Sequence, residues 1–160
     1  MSYKMQRRII NITTITVILI LMFIFLWPLS FSGFLSDESE LLVTVTDVVI
    51  DGIGLRHETT NYSIQPGTET FEQIQQILNS YTYRRTWRTF LNHSNVQSDS
   101  IYYWLIMFSG DNILLTGGGT GEININGNIY RVGYWGNARV IEMMREIRAV
   151  LENNEGISIY

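Results

Sequence analysis

The sequence predicts an α+β domain, made of a small antiparallel sheet and two amphipathic helices, behind one N-terminal transmembrane helix. Three features support this prediction: an uncharged apolar run near the N-terminus, short alternating segments bounded by Gly and Asn, and two segments with apolar residues at helical spacing. The predicted order after the apolar run is β-β-α-β-β-β-β-α. Hairpins dominate this order, and a hairpin pairs its strands antiparallel.

The apolar run covers Ile9 to Trp27 and contains nineteen residues without a charge. A helix of this length spans roughly 28 Å, close to the ~30 Å thickness of the bilayer hydrocarbon. Trp27 stands where an aromatic belt residue is expected, and Pro28 ends the helix. We therefore predict a transmembrane helix at residues 9–27, in contact with the lipid bilayer, after a basic cytoplasmic tail at residues 1–8.

Charged residues on either side of this run predict its orientation. Basic residues precede it and acidic residues follow it: Lys4, Arg7 and Arg8, then Asp37, Glu38 and Glu40. By the positive-inside rule, this is a single-pass cell-membrane anchor with a cytoplasmic N-terminus and an external C-terminal domain. The alternative is a signal peptide cleaved near Ser32, which would release a secreted domain. The length of the run and the bulky Phe31 and Phe34 at that site favour the anchor.

Composition excludes several classes of protein. The chain has no cysteine, which excludes structural disulfides, Cys-ligated zinc and a lipoprotein anchor. From Asp37 onward it carries eight arginines and fifteen acids, a net charge of −7. Because such a domain repels phosphate backbones, nucleic acid is not expected as a partner. Export without disulfides is more typical of Gram-positive bacteria than of eukaryotic secretion.

Residues 28–40 are expected to form a short stalk before a domain that covers residues 41–160. Within that domain, Leu41 to Ile50 alternates apolar residues with threonines and predicts the first strand. A weaker second strand is predicted at about Glu58 to Ile64.

A helix is predicted to begin near Thr68 or Thr70, where Thr70 and Gln73 have the spacing of a capping box. Its apolar stripe has helical spacing and comprises Phe71, Ile74, Ile77, Leu78 and Tyr81. Tyr81 to Phe90 then alternates aromatic and polar residues. That pattern favours a strand, although the spacing of Arg84 and Arg88 also suits a helix.

Ile101 to Phe108 is apolar on both faces, which indicates a central strand covered on both sides or a strand of a sandwich. Another strand is predicted at Ile113 to Thr116. The pair Asn126-Gly127 between alternating apolar residues predicts a hairpin. Its turn would place on one face Ile123, Ile125, Tyr130 and Val132.

The last helix is predicted over Asn137 to Asn153, with Asn137 as its N-cap. Its apolar stripe comprises Val140, Met144, Ile147 and Leu151, and charged residues occupy the remaining positions. The tail from Gly156 to Tyr160 either adds an edge strand or is disordered.

Two sets of residues suggest chemistry but fail on spacing. Gly117 to Gly121 follows a strand, but Glu122 stands where a dinucleotide fingerprint needs glycine, and a hairpin is predicted next instead of a helix. We interpret the run as a connection between strands. The only histidines, His57 and His93, lie in predicted loops without a second ligand at metal-binding spacing. No catalytic, cofactor-binding or metal-binding residue is therefore predicted.

One local cluster is both basic and aromatic, and it comprises Arg84, Arg85, Trp87 and Arg88. Such a cluster suits a protein partner with acidic groups, an anionic envelope polymer or lipid headgroups. The competing interpretation is that these arginines pair with the surplus of surface acids. If the domain has a ligand surface, we expect it at these residues.

Three classes of function remain. The leading hypothesis is a non-enzymatic interaction or sensory module, because the chain shows a tether and no catalytic constellation. The alternative is a membrane-anchored immunity or inhibitor protein, which would also be small, acidic and free of motifs. A cell-envelope enzyme is the third class.

Overall fold

The secondary structure consists of helices, strands and two single turns of 3₁₀ helix. The computed structural model describes residues 3–33, 39–51, 54–91, 103–109, 112–117, 121–134, 138–153 and 158–159. The helices are α1 (Tyr3–Leu26), α2 (Glu69–Ser80) and α3 (Ala138–Asn153), and the 3₁₀ turns lie at Phe31–Gly33 and Trp87–Phe90. The strands are β1 (Leu41–Asp51), β2 (Gly54–Ile64), β3 (Tyr83–Arg85), β4 (Tyr103–Ser109), β5 (Asn112–Gly117), β6 (Glu122–Ile125), β7 (Asn128–Val132) and β8 (Ser158–Ile159).

The described strands join one sheet in the order β3-β7-β6-β5-β4-β1-β2-β8, and every neighbouring pair is antiparallel. The predicted α+β class with antiparallel pairing and amphipathic helices is therefore confirmed. The predicted order gives four strands between α2 and α3, whereas the described residues form five, which equals the number of strand segments predicted one by one. The tail contributes β8, which pairs with Asn61 and Tyr62 at the edge of the sheet.

The core lies between one face of the sheet and the two helices α2 and α3. Val43 pairs with Met107 and Val45 with Leu105, so these four buried side chains share that face. The predicted helical stripes meet them, with Phe71, Ile74 and Leu78 from α2 and Val140, Met144, Ile147 and Leu151 from α3. On the opposite face Leu42 of β1 is 43% exposed and Ile106 of β4 is half-buried. The strand predicted at Ile101 to Phe108 is therefore central in the sheet, but its described part is fully covered on one face only.

The start of α2 differs from the predicted capping box. Thr68 is the N-cap, and its hydroxyl accepts a hydrogen bond from Phe71 N at 3.3 Å. Thr70 instead lies inside the helix and is buried. Thr68 and Phe71 have the Ncap-to-N3 spacing that satisfies a free amide at a helix start, so the same chemistry operates two residues earlier.

The hairpin at Asn126-Gly127 forms as predicted. Both residues have positive φ angles, 49° and 82°, as a type I′ turn requires. Gly127 N also donates to Asn124 Oδ1 at 2.8 Å. The side chains predicted to share one face are all buried in the core, namely Ile123, Ile125, Tyr130 and Val132.

Residues 81–90 form neither one strand nor one helix. Tyr83–Arg85 pairs with β7 at the sheet edge, and Trp87–Phe90 then turns as a 3₁₀ helix. The strand ends because Thr86 N donates to Thr89 Oγ1 at 2.8 Å, which closes a local turn. Trp87 is 62% exposed, whereas Tyr83 is fully buried.

The apolar N-terminal run forms a continuous helix that starts before the predicted span, at Tyr3. Met5 to Leu26 is long and apolar enough to cross a membrane, with mean hydropathy 2.7, and none of it is buried in the protein. The hydroxyls of Thr13 and Thr16 bond back to carbonyls one turn earlier, at 3.0 and 2.9 Å. These two hydroxyls are therefore satisfied by the helix itself.

The segment after α1, expected to be a stalk, attaches to the domain within a few residues. Leu29 and Tyr83 exchange two backbone hydrogen bonds, of 2.8 and 3.2 Å, so the chain adds a bridge beside β3. Phe31 is 0% exposed, and its ring lies 5.4 Å from the ring of Tyr83. The first part of the predicted stalk is thus part of the folded domain.

Candidate functional site

Strand register aligns charged residues at the β3 edge of the sheet. Arg84 of β3 pairs with Arg131 of β7, and Arg131 pairs with Glu122 of β6. Because directly paired residues share a face, these three side chains form one row on the face opposite the core. The row brings the predicted Arg84 beside two residues that lie about forty positions later in the sequence.

The 3₁₀ turn adds a third arginine to this row. Arg88 Nη1 lies 2.7 Å from Glu122 Oε2, and Arg131 Nη2 lies 3.9 Å from Glu122 Oε1. Thr89 fixes the turn against the sheet through a hydrogen bond from its hydroxyl to the carbonyl of Ile129. The single carboxylate of Glu122 therefore serves two guanidinium groups at once.

Arg84 is buried by an aromatic ring. Its guanidinium carbon lies 3.3 Å from the centre of the Tyr134 ring, a cation–π stack, and the residue is only 6% exposed. Gly133 positions that ring, since it has a φ of 74° and its amide donates to Thr82 O at 2.9 Å. A Cβ at Gly133 would also meet Arg139 Cγ at 3.0 Å, so glycine is required there.

Three buried polar atoms near this row have no hydrogen-bond partner among the described protein atoms. They are Arg84 Nε, Thr86 Oγ1 and Arg131 Nε. All three residues line the same cleft of about 480 Å³. Native proteins satisfy nearly all buried polar groups, and each exception calls for an explanation such as an ordered water, an ion or a functional role. The convergence of three such atoms therefore marks this cleft as the candidate site.

The last turn of α1 forms one wall of the cleft. Phe25 and Leu26 line it together with Arg85 and Trp87. The ring of Phe25 also packs edge-on against that of Phe90, with centroids 5.6 Å apart. We call this space, bounded by the end of α1, β3, the 3₁₀ turn and the β6–β7 hairpin, the juxtamembrane cleft.

Large apolar side chains surround the juxtamembrane cleft and face outward. Each is more than half exposed, and the set comprises Trp27, Trp87, Phe90, Leu91 and Tyr134. Arginines and exposed aromatics thus alternate around one end of an otherwise acidic domain. Such a surface is suited to an amphipathic, negatively charged environment.

The structure brings together all four residues of the predicted cluster, Arg84, Arg85, Trp87 and Arg88, at or beside the juxtamembrane cleft. The competing interpretation, pairing with surface acids, holds for Arg88. Among the described residues no carboxylate lies within salt-bridge distance of Arg84 or Arg85. Sequence reasoning missed Glu122, Arg131, Tyr134, Phe25 and Leu26. The hairpin register alone could have paired Glu122 with Arg131.

A second cleft, of about 560 Å³, lies between α2, α3 and the end of β7. Tyr81 lines it with Glu146, and burial followed by the charge and hydrogen bond of Glu146 raises the pKa of that phenol. The phenol is therefore protonated at neutral pH and acts as a hydrogen-bond donor to the carboxylate. The nearby Ser80 hydroxyl donates to Ile77 O at 2.7 Å, so it has no base beside it.

The remaining sequence candidates do not form a site in the described part of the chain. His57, predicted in a loop, lies on β2 opposite Val48 and is exposed. His93 lies outside the described residues. No group of three His, Cys, Asp or Glu side chains is placed for a metal among the residues described. The glycine run links β5 to its antiparallel neighbour β6, so a strand follows it, as expected.

The juxtamembrane cleft can hold an anion, because its donors are guanidinium and hydroxyl groups and its lining is partly apolar. It offers no nucleophile with an adjacent base among the described residues. Comparison of the chain with protein-family models, curated proteins and solved structures gives no match.

Proposed function

We propose that this chain is a single-pass membrane protein whose external domain is a non-enzymatic interaction or sensory module. One observation carries the anchor: Leu29 and Phe31 belong to the folded domain. Cleavage near Ser32 would remove a fully buried aromatic ring and both hydrogen bonds to Tyr83. A signal peptide is discarded without loss to the mature fold, so this packing supports a retained helix.

The orientation follows from charge. Lys4, Arg7 and Arg8 lie in the first turns of α1, and the domain behind the helix is acidic. The positive-inside rule then places the N-terminus in the cytoplasm and the domain outside the cell membrane. The uncharged part of α1 is exposed from Ile9 to Phe23, and this surface is suited to lipid.

An interaction module is supported by the kind of site the domain carries. The juxtamembrane cleft presents cationic donors held in fixed positions by Glu122, Tyr134 and the 3₁₀ turn. These groups recognise charge and shape, whereas acyl or proton transfer needs a nucleophile and base in contact. Because α1 contacts this cleft directly, a ligand there is sensed by the membrane helix itself.

The absence of cysteine from the sequence permits a direct test of topology. Single cysteines are introduced at Ser2→Cys and at exposed Glu72→Cys on α2, in cells without an outer membrane. A membrane-impermeant maleimide should label Glu72→Cys in intact cells and Ser2→Cys only after lysis. The protein should also resist carbonate extraction. Labelling of Ser2→Cys in intact cells, or a soluble mature form that begins near Gly33, would refute the anchored topology.

A further inference from the structure

We infer that the juxtamembrane cleft binds the phosphate of an anionic phospholipid from the leaflet in which α1 ends. This inference rests on the membrane anchoring proposed above and names the ligand of that module. In this arrangement the phosphate diester of the lipid accepts hydrogen bonds from the guanidinium groups of the cleft. The acyl chains of the same lipid lie along the apolar helix.

The donor set of the cleft matches a phosphate group. Two N–H donors, Arg84 Nε and Arg131 Nε, and the hydroxyl of Thr86 are buried there without a partner among the described atoms. A buried donor without an acceptor is costly, and a phosphate supplies several anionic acceptor oxygens at once. Arg84 is more than nine-tenths buried, so its donor cannot be satisfied by free exposure to bulk water.

The charge balance of the cleft also requires an anion. Arg84, Arg85, Arg88 and Arg131 surround one carboxylate, that of Glu122, which leaves a net charge of +3. The guanidinium groups are planar and rigid, which suits two-point contacts with phosphate oxygens. Since the rest of the domain is acidic, an anion is attracted to this face and repelled elsewhere.

The position of the cleft selects a lipid over a soluble phosphate. Phe25 and Leu26 form its wall and belong to the end of the membrane helix. Trp27, beside them, stands at the depth where aromatic belts and lipid phosphates lie. Exposed Trp87 and Phe90 extend this apolar rim outward, and a water-soluble phosphate would leave it without a partner. Arginines at such a boundary extend toward headgroups while their stems contact acyl chains.

The test uses the full-length protein in a neutral detergent. Equal amounts of phosphatidylglycerol and phosphatidylcholine with the same acyl chains are added, and native mass spectrometry measures the fraction of protein that carries each lipid. We expect phosphatidylglycerol to be bound about tenfold more, because both lipids carry the phosphate diester but only phosphatidylcholine adds a cation, which the arginines repel. Equal occupancy by the two lipids would overturn the inference while leaving the anchor intact.

Competition distinguishes the sources of phosphate. Inorganic phosphate and soluble poly(glycerol phosphate), added at the lipid concentration, should leave phosphatidylglycerol in place. Displacement by either compound would overturn the assignment to lipid, and displacement by the polymer alone would identify an anionic envelope polymer as the ligand.

Variants test the residues directly. Arg131→Gln removes one charge and one unpartnered donor, and Arg84→Lys keeps the charge but removes Nε; each should lower phosphatidylglycerol binding about tenfold. Arg85→Gln, at a half-exposed position, covers the case in which Arg84→Lys fails to fold. Arg56→Gln, at an exposed arginine of β2, is the matched control and should bind like the parent protein. Parent-level binding by every folded cleft variant would overturn the inference.

Discussion

Replacing Phe31 with alanine tests whether the residues after α1 belong to the domain. The ring is fully buried and packs at 5.4 Å from that of Tyr83, in contact with the core between α2 and the sheet. Truncation of a buried phenylalanine costs about 3–5 kcal/mol, from lost transfer energy and the cavity that remains. A stalk residue in solvent would cost less than about 0.5 kcal/mol.

The fragment comprising residues 28–160 is suited to this measurement, because it retains Leu29 and Phe31 and omits the membrane helix. Urea unfolding is followed by tryptophan fluorescence and by far-ultraviolet circular dichroism. For a denaturant slope of about 2 kcal/mol/M, the expected loss lowers the midpoint by roughly 1.5–2.5 M. Phe90→Ala is the matched control, since that ring is 57% exposed and its contact with Phe25 is absent from the fragment.

A midpoint for Phe31→Ala within about 0.3 M of the parent fragment would refute the packing described for this segment, since that shift corresponds to roughly 0.5 kcal/mol. A fragment that begins at Ser36 provides an independent check. It lacks Phe31 and the bridge to Tyr83, so its midpoint should lie below that of the 28–160 fragment. Equal midpoints for the two fragments would restore the interpretation of residues 28–40 as a stalk.

Three further predictions address the core, the hairpin and alkaline stability of the same fragment. Leu105→Ala should lower the free energy of unfolding, measured in urea, by about 2–5 kcal/mol. Leu42→Ala, at a partly exposed position of β1, should lower it by less than about 1 kcal/mol. Equal losses would contradict the assigned sheet faces. Gly127→Ala forces alanine to a φ of +82° and should cost about 1–2 kcal/mol by thermal unfolding, although no atom lies within 4 Å of the added Cβ; an unchanged melting temperature would exclude a type I′ turn. Tyr83 donates to Leu78 O at 2.7 Å, so Tyr83→Phe should cost about 1 kcal/mol at neutral pH. Burial raises the pKa of Tyr83 above 10, so unfolding releases a proton from this phenol above that pH. Tyr83 alone should therefore lower stability by about 1.4 kcal/mol per pH unit, and Tyr83→Phe should remove this part of the slope, whereas Tyr81, whose pKa is also raised, retains its own part.

Elements with local determinants were predictable from the sequence. The type I′ turn depends on two adjacent residues, Asn126 and Gly127, whose preference for positive φ is intrinsic. The stripe of α3 likewise depends on a spacing that lies within one helix, and its predicted members are buried. In both cases the residues that determine the structure are neighbours in sequence.

The strand predicted over residues 81–90 was right only for its first half, because contacts with distant residues decide where it ends. Tyr83 to Arg85 remains extended since β7 pairs with it, and the hydroxyl of Thr89 bonds to Ile129, forty residues away. The attachment of Phe31 has the same origin, because its partner ring is that of Tyr83, more than fifty residues later. The alternation of residue types within ten residues contains no information about contacts with residues so far away in the sequence.

The candidate site was half predictable for the same reason. Arg84, Arg85 and Arg88 are close in sequence, and their concentration of charge was visible. Glu122 and Arg131 join them only through strand register, and Phe25 through the fold of the segment after α1. The sequence therefore identified the cationic side of the cleft and missed both the carboxylate that orders it and its apolar wall.

The attachment of residues 29–31 determines where the cleft lies relative to a membrane. Only Trp27 and Pro28 lie between Leu26 and Leu29, and the three Cα–Cα steps of an extended chain span about 10 Å at most. Since Leu29 is bonded to Tyr83, β3 and its arginines must remain within this distance of the helix end. A flexible stalk of thirteen residues would have allowed the domain to place any face toward the lipid. The short attachment restricts it to the face that carries the arginines of β3. If α1 crosses the bilayer, two hydrogen bonds and one buried ring therefore hold the arginine face of the domain toward the lipid phosphates.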